Sequence, residues 1–257
     1  MLNFRNTNIF FSILLIVLIG IHIKNGLPVY VYPLLFFVYS LIVFYGCYYV
    51  GSNFFIKVIC SATTDEKEIA ISFDDGPATN YTPEILQLLK QENIKAAFFC
   101  IGHRIPGNEN LLKQIKEEGH IIGNHSYTHH FWFDMFSSGK MLNDLKKMDV
   151  ETEKVTGLRP KLFRPPYGVT NPNLKKAIIK GGYTPVGWSV RSMDTVIKDE
   201  KKLLGKIKGA LKPGAVFLFH DTSKTTLNVL PEFIKEVKNS GYYIVPLDKL
   251  LHLTPYA

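Results

Sequence analysis

A chain of 257 residues with 46% hydrophobic content and a formal charge of +8 has room for one substantial core plus an appendage. Its three cysteines give no even framework, and two of them sit in apolar runs, so free thiols are expected and a small disulfide scaffold is excluded. The lysines are scattered along helix-like stretches such as Lys201, Lys202, Lys206 and Lys208; solvated helix faces account for them, and no nucleic-acid partner is expected.

Every residue between Arg5 and Lys24 is uncharged, and Ile9 to Ile23 is almost wholly apolar. Between Lys24 and Lys57 a second uncharged stretch contains PLLFFVYSLIVFYGCYYV, which meets the length of ~20 apolar residues that a bilayer-crossing helix needs. Tyr30, Tyr32, Tyr48 and Tyr49 flank it, as rings with a polar tip do at a membrane interface. The first stretch has a signal peptide as its alternative, but HIKNGLP follows it without a small-residue cleavage pattern. Residues 1–57 therefore read as a membrane anchor, an uncleaved hairpin of helices at about 8–23 and 29–50 whose partner is the lipid bilayer. Residues 58–66 read as a linker and 67–257 as the soluble domain. A hairpin puts the amino terminus and the domain on one side of the membrane; Arg5, Lys57 and Lys67 against Lys24 lean weakly cytoplasmic.

From Glu68 onward β-prone runs alternate with helical ones. EIAISF, KAAFFCI, HIIGNHS, KLFR, YTPVGWS, AVFLFH and YYIVPL are the predicted strands. The predicted helices are TPEILQLLKQEN, ENLLKQIKEEG, GKMLNDLKKMDVETEKVTG, NPNLKKAIIKGG, DEKKLLGKIKGAL and TTLNVLPEFIKEVKNSG. Thr82-Pro83 and Asn171-Pro172 have the form of a cap followed by proline in the first turn. Such alternation implies an α/β fold of parallel strands with helices outside, either an open doubly wound sheet or a barrel; about seven units suit a barrel. Sites in both collect at the carboxyl ends of the strands.

Those ends are polar. SFDDGP places Asp74 and Asp75 side by side before a Gly-Pro turn, so one carboxylate can bind a cation while the other serves as base. In GNHSYTHH, His125 and His129 are four residues apart, a spacing that lets two imidazoles and a carboxylate share one metal with a position left open. FRPPYG holds Arg164 and the Tyr167 backbone in a stiff turn, GWSVRSMD offers Asp194, and FLFHD offers His220 and Asp221. A histidine beside a carboxylate from a neighbouring strand can act as an oriented acid or base. Each end alone is compatible with a solvated turn; five together point to an enzyme.

In these motifs, SFDDGP, HSYTH, RPPYG, WSVRSMD and FLFH, in that order, the sequence resembles the polysaccharide deacetylases, also called the NodB-homology domain or carbohydrate esterase family 4. The resemblance runs from about Asp65 to the carboxyl terminus and implies a distorted (β/α)7 barrel, here preceded by the transmembrane hairpin. It implies a hydrolase that removes N-acetyl groups from sugars of a polysaccharide such as peptidoglycan, a chitin-like polymer or an exported glycan. By resemblance, Asp75, His125 and His129 hold one divalent metal, usually zinc, with cobalt or another divalent ion as alternatives. Asp74 is then the general base, Arg164 keeps it ionised and aligned, and the Tyr167 N–H stabilises the oxyanion. His220, paired with Asp194, protonates the leaving amine, Leu218 lines the acetate-methyl pocket, and Trp188 contributes to the sugar site.

Two departures from the family pattern are His130, where proline is usual, and Thr195, where tryptophan is common; they bear on the floor of the groove. Arg191 has three readings, contact with an anionic group or pairing with Asp74 or with Asp194. A glycan substrate favours an extracytoplasmic domain, against the charge lean. An O-acetyl esterase on the same site is the nearest rival, a phosphotransferase of the Asp-nucleophile type is disfavoured by adjacent aspartates and the histidine pair, and a non-catalytic glycan-binding protein would require a lost ligand.

Overall fold

The computed structural model describes residues 2–257. Helix α1 (Phe4–Asn25) and helix α2 (Val31–Tyr48) form an antiparallel pair, with mean hydropathy 2.0 and 1.7 over their most apolar windows, and both are long and apolar enough to cross a membrane. The first starts earlier than the apolar pattern suggests because the Asn3 side chain caps it, accepting from the Asn6 N–H at 2.9 Å. Along the hairpin, the Tyr39 hydroxyl donates to Asn8 Oδ1 at 2.8 Å and the Phe11 ring packs on Tyr39.

The soluble part alternates β1 (Glu68–Asp74), α3 (Thr82–Gln91), β2 (Ala97–Cys100), α4 (Glu109–Glu117), β3 (Ile121–Asn124), α5 (Ser138–Thr156), β4 (Leu162–Phe163), α6 (Pro172–Gly181), β5 (Thr184–Pro185) and β6 (Val190–Arg191). It continues with α7 (Glu200–Lys208), β7 (Val216–His220), α8 (Lys224–Asn239), β8 (Tyr243–Ile244) and α9 (Leu247–Leu251). The strand order is β5-β4-β3-β2-β1-β7-β6, every ladder is parallel, and β8 pairs with the start of β1. This curled parallel sheet with helices outside agrees with the alternation and is the distorted barrel that the resemblance implies.

Strand periodicity sorts the residues. Ile71, Phe73, Phe217 and Phe219 face outward and pack with Leu86, Leu89, Ile207 and Phe233 of the helices. Ala70, Val216, Phe99 and Leu162 face inward, and Leu247, Leu250 and Leu251 of α9 pack with them. Gly123 permits this packing, because a Cβ there would lie 2.4 Å from the Phe99 ring.

Four elements differ from the sequence reading. YTPVGWS supplies only β5, and β6 forms just beyond it, with Trp188 between the two, so the described residues form eight strands rather than seven. YYIVPL supplies only a two-residue strand before turning into α9. Asn171 caps α6, accepting from the Leu174 N–H, but Thr82 lies inside α3, and its hydroxyl accepts from the Ala78 N–H and donates to Asp221. Residues of the 58–66 stretch are bonded to the domain: Ile59 bridges Val186, just after β5, and Ser61 bridges Ala215, just before β7. Phe54, Phe55 and Val58 are buried with them, so the hairpin is seated on the domain rather than tethered to it.

Candidate active site

The polar strand ends meet on one rim. Asp74 closes β1, and Asp75 follows with φ at 78°, a left-handed conformation that turns its carboxylate away from its neighbour's. Arg104 Nη1 donates to the Asp75 carbonyl at 2.7 Å and holds that turn. Gly76 is required next, since a Cβ there would stand 2.1 Å from Asp221. Ser126, His129 and Tyr167 also have φ between 43° and 67°, so the strained residues cluster at the rim, where the surrounding bonds fix them.

His125 Nδ1 lies 2.8 Å from the Arg164 carbonyl, which can only accept; the proton therefore sits on Nδ1 and the Nε2 lone pair faces the rim. His125 Nε2 and His129 Nε2 each lie 3.6 Å from Asp75 Oδ1. The three candidate ligand atoms are all within 4.8 Å of one another. Donors ~2 Å from an ion at tetrahedral angles are separated by about 3.3 Å, so this set fits one divalent cation with a position open to the groove. Burial pushes His125 down to about 3, aided by the neighbouring His129, and burial also lowers His129, so both imidazoles are neutral donors at physiological pH.

Asp74 is buried and is held by Arg164, whose Nη1 donates to Asp74 Oδ1 at 2.7 Å and to Ser72 Oγ at 2.8 Å. The guanidinium, itself inaccessible, also donates to the carbonyls of Val186 and Gly187 and lies 4.0 Å from the centre of the Phe99 ring. Burial raises the Asp74 pKa from its ordinary value against the opposing charge of Arg164, which leaves a carboxylate of increased basicity. Its other oxygen, Oδ2, faces His125 Nε2 at 3.7 Å.

Across the β1–β7 ladder His220 is the register partner of Asp74. Its Nδ1 is 2.8 Å from Asp194 Oδ1, and its backbone N–H donates to Asp194 Oδ2 at 2.7 Å. Ser192 and Thr226 hydroxyls also donate to Asp194. Burial acts to raise the Asp194 pKa, but these bonds and the His220 charge outweigh it and hold the carboxyl low. Burial likewise acts against the His220 imidazolium, and the bond and charge of Asp194, with Asp74 and Asp75 nearby, push it up to about 9.

The structure thus brings together Asp74, Asp75, His125, His129, Arg164, Asp194 and His220. Tyr167 stands exposed beside them with its ring centre 4.7 Å from that of His129. Leu218 shares the inward face of β7 with His220 and pairs with Ser72. Trp188 borders the rim loop, where a Cβ on Gly168 would lie 2.6 Å from its ring. Arg191 is exposed and lies over Trp188 at 5.9 Å; among the described residues it pairs with neither Asp74 nor Asp194. His220 pairs with Asp194, not with the adjacent Asp221, which is buried against Thr82 instead.

Supporting residues escaped the sequence reading. Asn124 accepts from the Ser126 N–H and donates to Asp149, and Asp144 on α5 accepts from the N–H groups of Tyr127 and Thr128; together they shape the histidine loop. Ser72 left a signal, a polar residue at an inward strand position; Asp144 left none, because its partners are distant in sequence.

Residues 61–186 match the polysaccharide deacetylase family profile. Peptidoglycan-N-acetylmuramic acid deacetylase PdaA of Bacillus subtilis is 33% identical over 216 residues, covering 82% of this chain and 78% of the relative. The chain belongs to the polysaccharide deacetylase family. This deacetylase, a hydrolase, is also 36% identical to a Bacillus cereus peptidoglycan-N-acetylglucosamine deacetylase over 73% of the chain and 89% of that protein. Against Listeria monocytogenes PgdA it is 34% identical over 79% of its own length but only 42% of the relative's. Among solved structures, the Bc1960 peptidoglycan N-acetylglucosamine deacetylase superposes with TM-score 0.74 at 30% identity, covering 78% of this chain and 95% of that one. A family pseudoenzyme from Bacillus anthracis superposes with TM-score 0.70 at 27% identity, covering 75% of this deacetylase and 68% of that chain.

Proposed function

We propose that this deacetylase removes N-acetyl groups from the amino sugars of peptidoglycan or a closely similar glycan, using one divalent ion. Because the fold is shared with a pseudoenzyme, the fold alone does not carry the activity. What carries it is the convergence of Asp75, His125 and His129 beside an arginine-held Asp74, opposite an aspartate-held His220.

Asp75 Oδ1 and the Nε2 atoms of His125 and His129 would hold the ion, zinc in preference to cobalt or another divalent metal. Bound there, it would supply the charge that acidifies a water and polarises the acetyl carbonyl. Asp74, aligned by Arg164, takes the proton as water adds to the acetyl carbon. Negative charge then develops on the acetyl oxygen, and the Tyr167 N–H, presented by its left-handed turn, donates to it. His220 delivers its proton to the nitrogen as the C–N bond breaks, leaving acetate and a free sugar amine. Leu218 lines the space for the methyl group, and Trp188 borders the sugar. An ester would use the same ion and base, but an alkoxide leaves without the protonation an amine needs, so the His220–Asp194 pair favours the amide.

The α1–α2 hairpin is assigned to the bilayer, with the domain on the extracytoplasmic side, where a peptidoglycan substrate lies. Acetate release from N-acetylglucosamine oligomers and from peptidoglycan, by the purified full chain with zinc and with chelator, tests the assignment. Zinc-dependent release is expected, and its absence on every N-acetylated glycan would overturn the reading.

A further inference from the structure

The hairpin is not attached to an arbitrary face of the domain. The carbonyl of Cys47, at the end of α2, accepts from the Thr170 N–H at 3.0 Å, and the Gly46 carbonyl accepts from the Thr170 hydroxyl at 3.2 Å. Thr170 lies three residues after Tyr167, in the loop that ends β4 on the catalytic rim. Its neighbour Asn171 donates to the Asp134 carbonyl at 2.6 Å, which ties in the loop that follows His129. The domain-proximal end of the hairpin is therefore bonded directly to the loops that build the site.

That second loop, from His130 to Phe136, divides its side chains. Phe133 is buried with Met141, Leu142 and Leu174 and fixes the loop to α5 and α6. Phe131, Trp132 and Met135 are 68%, 58% and 72% exposed, although each is large and apolar. Phe131 packs edge-on against Trp132 and against Tyr167, so the patch extends to the metal ligands. Tyr48 and Tyr49, at the domain end of α2, are exposed as well. An exposed apolar patch of this kind marks an interaction surface, and aromatic rings at the end of an apolar helix suit the boundary between lipid and water.

We propose that Phe131, Trp132 and Met135 dip into the bilayer interface beside the hairpin, so that the catalytic rim opens at the membrane surface. The inference rests on the reading of α1 and α2 as bilayer helices; its occupant is lipid, argued from the continuity of the loop with the hairpin's end. The consequence is that the site meets sugars held close to the membrane, and strands far from it lie outside its reach.

The chain has only two tryptophans, Trp132 and Trp188, which makes the depth of one of them measurable. In the full chain carrying Trp188→Phe, reconstituted in phosphatidylcholine–phosphatidylglycerol vesicles, Trp132 emission should be blue-shifted and quenched when lipids brominated near the headgroup replace the normal ones. The reciprocal variant Trp132→Phe, which keeps Trp188, should lose that part of the quenching seen in the unmodified chain, and serves if the first variant fails to fold. A chain that resists alkaline extraction from the vesicles yet shows no quenching at Trp132 overturns the proposal and leaves the hairpin assignment standing. Extraction of the chain by the alkaline wash overturns both. Emission that responds to protein concentration but not to brominated lipid would assign the patch to a second copy, and also overturns the proposal.

Discussion

Replacing Arg164 with alanine tests how the site is held together. The guanidinium is fully buried and donates to Asp74, Ser72 and two backbone carbonyls, while its plane covers the Phe99 ring. Its removal strands the Asp74 carboxylate without a counter-charge, and breaking a buried pair from one side costs about 3–5 kcal/mol. For a domain of this size each kcal/mol corresponds to ~2–4 °C, so Arg164→Ala should lower the melting temperature by about 6–20 °C. The same change removes the main influence that opposes burial at Asp74, so the pKa of that carboxyl rises further. Asp74 must be ionised to accept a proton, and the acid limb of the pH–rate profile should move to higher pH. Thermal unfolding with the pH dependence of acetate release measures both. A variant as stable as the parent, with an unshifted acid limb, would refute the reasoning, because it would mean that Arg164 neither compensates nor tunes Asp74.

His129→Ala should abolish retention of the ion by the purified protein, read by elemental analysis, together with acetate release; full activity in that variant would sink the assigned site. The His220 pKa is raised to about 9 largely through Asp194, so its protonated form is present below that pH and lost above it. Asp194→Asn should therefore move the alkaline limb of the rate profile to lower pH, and an unmoved limb would remove His220 from the acid role. Asp221 is buried with Oδ1 unpartnered among the described residues, and burial lifts its pKa to about 7, the Thr82 bond opposing and the Asp75 charge adding. A carboxyl raised in this way contributes stability at low pH, on the order of 4 kcal/mol, that is lost as pH rises toward 7. Asp221→Asn should thus be more stable than the parent at pH 8 and nearly equal at pH 4, as measured by denaturant titration; equal stability at both pH values would contradict the burial argument.

Much of this architecture is legible in the sequence. Apolar runs such as AAFFCI and AVFLFH, broken by amphipathic helices, specify parallel strands covered on both faces, because only that arrangement buries the runs and pairs their backbones. The chemistry-bearing residues could be read because a strand's carboxyl end is a fixed place on such a fold: Asp74, His125, Arg164 and His220 are each the last residue of a strand or the first after one. The same local logic placed α1 and α2, whose length and apolarity need no partner to be recognised.

Tertiary structure decided the pairings. His220 has a carboxylate next to it in sequence, Asp221, yet bonds to Asp194 on another element, since β7 sends the two side chains to opposite faces. Thr82 has the form of a helix cap and instead serves Asp221, and residues 59–61, which carry no strand signal of length, bridge Val186 and Ala215, more than 100 residues away along the chain. The seat of the hairpin on the loop after β4 was equally invisible, because contacts between Cys47 and Thr170 leave no periodic trace in either segment. A sequence specifies periodicity and local bonding, while partners far apart along the chain are selected by the packing of the whole sheet.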